Sequence, residues 1–76
     1  MYPSVSEFEL AFASQLADLR SRIEDGAVIH VAPVTNVHIG SGNAIAAFSL
    51  YGFCKRSPWR SGFTAYWTNE GWAIPA

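Results

Sequence analysis

The sequence is short of cysteine, of charge and of uninterrupted apolar runs, and each shortage removes a class of answers. Cys54 is the only cysteine, so no internal disulfide can staple this 76-residue chain as small secreted domains are stapled. A reducing, cytoplasmic setting is the expectation. Charged residues make up 14% of the chain against the usual quarter or so, while 50% is hydrophobic. That balance excludes a disordered tail, which would be rich in charge and poor in apolar side chains. A net charge of −1 excludes a polyanionic mimic of nucleic acid and a strongly basic nucleic-acid coat. The first residues, Met1-Tyr2-Pro3-Ser4-Val5-Ser6-Glu7, lack the basic start and apolar block of a secretory signal.

From Gly26 to Cys54 there is no Asp, Glu, Lys or Arg. A membrane span needs about 20 mostly apolar residues in a row. Here Pro33, Thr35, Asn36, His38 and Gly40-Ser41-Gly42-Asn43 interrupt them, so the stretch reads as buried strands with no membrane contact.

Catalytic signatures are equally scarce. Five of the six acids lie on or just after the first predicted element, leaving only Glu70, in a turn, for the rest of the chain. No carboxylate pair is therefore placed for acid–base work. Gly40-Ser41-Gly42-Asn43 lacks the Lys and Ser/Thr of a P-loop and the spacing of a dinucleotide fingerprint, and reads as a hairpin turn. Cys54, His30 and His38 are too few for a structural zinc site, and no spacing joins the thiol to an imidazole. The thiol is expected in the core and the two histidines opposite each other across a hairpin centred near Val34. No enzyme, metal or cofactor is expected.

What is present begins with a helix. Ser4 and Glu7 form a capping box, and Val5, Phe8, Phe12, Leu16, Leu19 and Ile23 recur at spacings of three and four. The pattern predicts a helix over 4–25, closed by Gly26, with Asp18–Arg22 and Arg20–Glu24 pairs on its flanks. The period then falls to two: one strand ends at Pro33 and a second covers Val34 to Ile39. Ala44 to Tyr51 suits either a short helix capped by Asn43 and closed by Gly52 or a long strand continuing through Phe53 and Cys54; the aromatic content of Phe48-Ser49-Leu50-Tyr51 favours the strand. Lys55 to Gly62 reads as a polar loop, and Phe63–Trp67 with Trp72–Ile74 as a hairpin. The order of elements predicts one domain over 1–76 of the α+β class, with an N-terminal amphipathic helix on one face of a small antiparallel sheet of about four to five strands.

A chain of 8.3 kDa buries only about 60% of its extended surface, too little to hide eleven aromatics and the rest of the apolar content unaided. Some of it should therefore meet another molecule. Residues 1–26 carry −3 and residues 27–76 carry +2, and all three cations of the second part, Lys55, Arg56 and Arg60, surround Trp59. Trp and Arg are the residue types that most often dominate interface energetics. These four, with Tyr51 and Tyr66, are the candidate contact residues, unless Trp59 folds back onto the core. Leu10, about 160° from the helical stripe, is a further candidate contact, to be covered either by a second copy of the chain or by the larger partner.

The expectation is a stoichiometric, non-enzymatic inhibitor or adaptor of a larger protein or nucleoprotein complex. Stand-alone chains of this size, those of phages and plasmids among them, often act so. Binding of single-stranded nucleic acid through the basic loop and aromatic stacking is the alternative. If Leu10 forms a helix dimer, Leu10→Asp lowers the mass measured by light scattering to that of a single chain; an unchanged mass removes the dimer.

Overall fold

The computed structural model describes residues 2–39 and 42–75, the side chain of Asn36 aside. Ser4 opens helix α1 (Val5–Ala11) with the expected reciprocal cap: its hydroxyl accepts from the Glu7 N–H at 3.2 Å, and the Glu7 carboxylate accepts from the Ser4 N–H at 3.1 Å. Helix α2 (Ala13–Arg22) follows after a bend at Phe12, where φ is −121° and ψ 32°. The bonds Phe12 N–H to the Phe8 carbonyl and Leu16 N–H to the Phe12 carbonyl persist through it. The helical bonding of Phe12 is thus kept on both sides of the bend.

The predicted helix runs three residues too far. Ile23 turns extended and bridges to Cys54, and the Glu24 N–H bonds the Phe53 carbonyl at 2.9 Å, so tertiary pairing ends the helix at Arg22. Gly26, with φ +92°, belongs to a turn beyond it, not to a helix cap. Of the two predicted flank pairs, Arg22–Asp18 forms at 3.1 Å; Arg20 reaches Glu9 instead, at 3.7 Å, because Glu24 has left the helix.

Four strands, β1 (Ile29–Ile39), β2 (Gly42–Phe53), β3 (Arg60–Thr68) and β4 (Gly71–Ala73), form one antiparallel sheet in sequence order. The fold is the expected α+β arrangement, and Ala44 to Tyr51 is strand. Two boundaries differ from expectation. The chain runs straight through Pro33, so the two predicted strands are one, and His30 and His38 lie on it, paired with Ser49 and Asn43 and not with each other. β1 is an edge strand, where a residue with no N–H is tolerated; the ladder shifts register between Pro33 and Val37. The turn expected over Gly40 to Asn43 lies partly outside the described residues, and Gly42 and Asn43 already belong to β2.

Period two along β2 sorts the sheet. Ala46, Phe48 and Leu50 face the helices with Phe63, Ala65 and Trp67, and these pack with Phe8, Phe12, Leu16, Leu19 and Ile23 into the core. Phe8 stacks on Phe48 at 5.3 Å, and Trp72 meets Phe12 and Phe48 edge-on at 5.3 and 5.0 Å. Rings offset and tilted in this way contribute about 0.5–1.5 kcal/mol per pair beyond their burial. Thr68, the buried polar residue, is satisfied: its hydroxyl donates to the Gly71 carbonyl at 2.8 Å and accepts from the Glu70 N–H at 3.1 Å.

The helices cover one face of the sheet. The molecule is accordingly extended, 37 × 22 × 18 Å, with 5076 Å² of accessible surface where a compact chain of this mass exposes about 4,600 Å². A chain of this length commands only about 4–11 kcal/mol of stability. Phe8→Ala, which removes a fully buried ring at the centre of the aromatic cluster, is expected to cost about 3–5 kcal/mol. Urea titration followed by circular dichroism should show the midpoint collapse; a fall of under about 1 kcal/mol would place the core elsewhere.

Candidate functional site

The face of the sheet away from the helices carries His30, Ala32, Ala47, Ser49, Tyr51, Phe53, Arg60, Gly62, Thr64 and Tyr66, as the cross-strand register requires. Its middle is polar and internally bonded. The Thr64 hydroxyl lies 3.0 Å from the Ser49 hydroxyl and 2.7 Å from that of Tyr51. The Tyr51 ring lies flat over its partner Gly62, so close that a Cβ there would stand 2.0 Å from a ring carbon. The absence of a side chain at 62 is therefore what seats Tyr51.

One end of this hairpin projects past the helices. Beyond Phe53 the chain turns through Lys55-Arg56-Ser57-Pro58 and returns at Trp59 and Arg60; the Cys54 N–H to the Trp59 carbonyl, 2.9 Å, closes the turn. Ser57 accepts from the Trp59 N–H at 3.3 Å. The tip is tied to the end of α2 on its other side by the Glu24–Phe53 bond and by the Lys55 N–H to the Arg22 carbonyl at 3.0 Å. Arg60 is a strand residue, not the loop residue expected, because the β2–β3 ladder continues to its pairing with Phe53. Its guanidinium sits 5.2 Å from the centre of the Phe53 ring, a cation–π contact.

The tip gathers most, but not all, of the residues singled out from the sequence. Trp59 is 74% exposed and does not fold back onto the core; Phe53, which the sequence reading passed over, is 51% exposed. Lys55 and Arg56 are exposed at the turn, and Tyr51 stands two residues from Phe53. Trp59 has the opposite strand parity to Arg60, so the tip presents apolar surface on both of its sides. Tyr66 is elsewhere: it is half-buried beside Ala47, six residues from Arg60 and about 20 Å along the strand. Leu10 is 80% exposed on α1, on the far side of the helix layer from the outer face, between the buried Phe8 and Phe12. Phe53 was legible, since the expected strand runs on to it and it shares strand parity with Tyr51.

Cys54 corrects another expectation. Placed at the end of the sheet, beside the last turn of α2, the thiol is half-buried in a cleft wall and not in the core. Among the described residues no three His, Cys, Asp or Glu side chains converge as metal ligands, and no helix is long and apolar enough to cross a membrane. The chain matches no family model, no curated protein and no solved structure.

Gly62→Ala is expected to unseat the Tyr51 ring and lower the unfolding midpoint, while the same change in a Tyr51→Ala background should be close to neutral. Equal losses in the two backgrounds, measured by thermal denaturation, would show that the ring can shift freely off residue 62.

Proposed function

We propose that the chain is a non-enzymatic protein-binding module that works stoichiometrically, as an inhibitor or adaptor of a larger protein, and that it docks through the β2–β3 hairpin tip. The observation that carries this reading is the bare Trp59 held on a backbone anchored at both sides. Tryptophan flanked by arginine on an ordered backbone is the usual composition of an interface hot spot. Phe53 and Tyr51 widen the apolar surface, and Lys55, Arg56 and Arg60 rim it with positive charge. The partner suited to it is a protein with an apolar pocket edged by carboxylates. Because hydrogen bonds already order the tip, docking has little further backbone entropy to overcome.

Single-stranded nucleic acid is the weaker reading. Of the three cations only Arg60 shares a face with Tyr51 and Phe53, whereas a strand-binding platform aligns cations along a track of stacked bases. Salt separates the two. Nucleic-acid binding weakens with a log–log slope of about −0.7 per phosphate contacted, and an apolar docking surface responds far less.

Trp59→Ala combined with Arg60→Ala should leave the thermal midpoint within about 6 °C of the parent, since the tryptophan is exposed and the cation–π contact contributes about 1 kcal/mol or less. The same pair of changes should abolish one-to-one retention of the partner in sedimentation of the purified complex. Binding that survives with stability lost would assign the tip to folding alone.

A further inference from the structure

Where the hairpin tip meets the end of α2, a cleft of about 560 Å³ opens between Ser21 and Arg22 on one side and Cys54, Lys55, Arg56 and Ser57 on the other. We propose that this cleft binds the phosphoryl group of a small organic phosphate. Three cations and two hydroxyls line it, and no carboxylate does. Among the described residues Lys55 and Arg56 have no ion-pair partner. Arg22 is fixed by Asp18 at 3.1 Å and by the Ser61 hydroxyl at 3.5 Å, which engages two of its five N–H donors and orients the remainder. With the neighbouring Asp18 counted, the cleft still carries an excess of two positive charges, matching a phosphoryl dianion.

The hydroxyls divide the labour. Ser21 commits its proton to the Asp18 carbonyl at 2.6 Å. Ser57 accepts from the Trp59 N–H, so its own proton is free to donate to an oxyanion. Arginine presents a planar fork that fits phosphate oxygens two at a time, and charge-assisted bonds of this kind are about twice as strong as neutral ones. Of the carbonyls at the end of α2, that of Arg22 is occupied by the Lys55 N–H and that of Leu19 by the Ile23 N–H, which reduces the negative potential an anion would meet here. The volume falls in the range of small-molecule sites, about 300–1,000 Å³, which leaves room for an organic body beside the phosphoryl group. None of this rests on the docking role: a small phosphate would bind the isolated chain whether or not a protein partner does.

The test is titration of the isotope-labelled chain with pyrophosphate and with adenosine diphosphate at fixed ionic strength, which removes general screening as a cause. Saturable amide shifts confined to Ser21, Arg22 and Cys54 to Ser57, with a Kd below about 1 mM, are expected, and tighter binding of the diphosphate nucleotide than of pyrophosphate. Arg56→Gln and Lys55→Gln, both exposed and outside the core, should each raise Kd about tenfold, while Arg20→Gln on the helix flank should not. Ligand should also slow alkylation of Cys54 by iodoacetamide. No saturation by about 10 mM, an equal effect of Arg20→Gln, or alkylation unaffected by saturating ligand would overturn the site.

Discussion

The structure depends on a shortage of cover: two short helices form a single layer, and a sheet has two faces. Phe8 is the centre of what that layer achieves, stacked on Phe48 and in contact with Phe12, Phe63 and Trp72. Seven of the eleven aromatics join this cluster, counting Tyr2, which meets Phe48 edge-on at 6.2 Å. The other four, Tyr51, Phe53, Trp59 and Tyr66, lie on the uncovered face or at its end. Their fates differ because the sheet offers them different substitutes for a covering layer. Tyr51 has Gly62 to lie on and Thr64 to bond; Phe53 has only the Arg60 guanidinium; Trp59 has nothing.

The second consequence concerns the tip. A hairpin end that projects beyond its helices would ordinarily fray, since it gains little from burial. Here the chain leaving α2 supplies the missing partner. Ile23 bridges to Cys54, and the bonds from Glu24 and Lys55 flank it, so Arg22 at the end of the helix and the two residues after it zip against Phe53 to Lys55. Three features share that origin: the early end of the helix, the half-buried thiol and the fixed position of the basic turn. The order of the tip is therefore bought by residues that sequence periodicity assigns to the helix.

This explains which parts were legible from the chain alone. The cap at Ser4, the buried stripe from Phe8 onward (Val5, its expected first member, is exposed) and the strand parity of β2 are local patterns, and local patterns survive into the fold when burial agrees with them. Ile23 belongs to the stripe and is buried as the stripe requires, yet it is extended; periodicity reports which side chains are buried but not the backbone that buries them. Pro33 misled in a related way. A proline ends a central strand, but whether a strand is central or at an edge is a property of the assembled sheet. With β1 at the edge the strand continued, and the histidine pair dissolved with the hairpin that would have made it. At the tip, clustering of Lys55, Arg56, Trp59 and Arg60 in the chain ensured that they stay together, whereas Tyr66, chosen by residue type, and Leu10, chosen by its angle on the helix, lie elsewhere.

Parity divides even the clustered residues, and the division bears on function. Arg60 and Phe53 face the open side of the sheet; Trp59 and Cys54 form the next pair, at the parity of the helix-covered side but past the end of the helices. A flat partner could reach one side of such a tip, not both. A groove that receives the whole tip reaches both, and it would also close over the mouth of the cationic cleft, because Lys55 and Arg56 lie in the turn between the two pairs. Occupancy of the cleft and insertion of the tip then share Lys55 and Arg56 as contacts. A phosphate that neutralises those cations removes the positive rim that an acidic groove recognises, so the two events oppose each other electrostatically even where they do not collide.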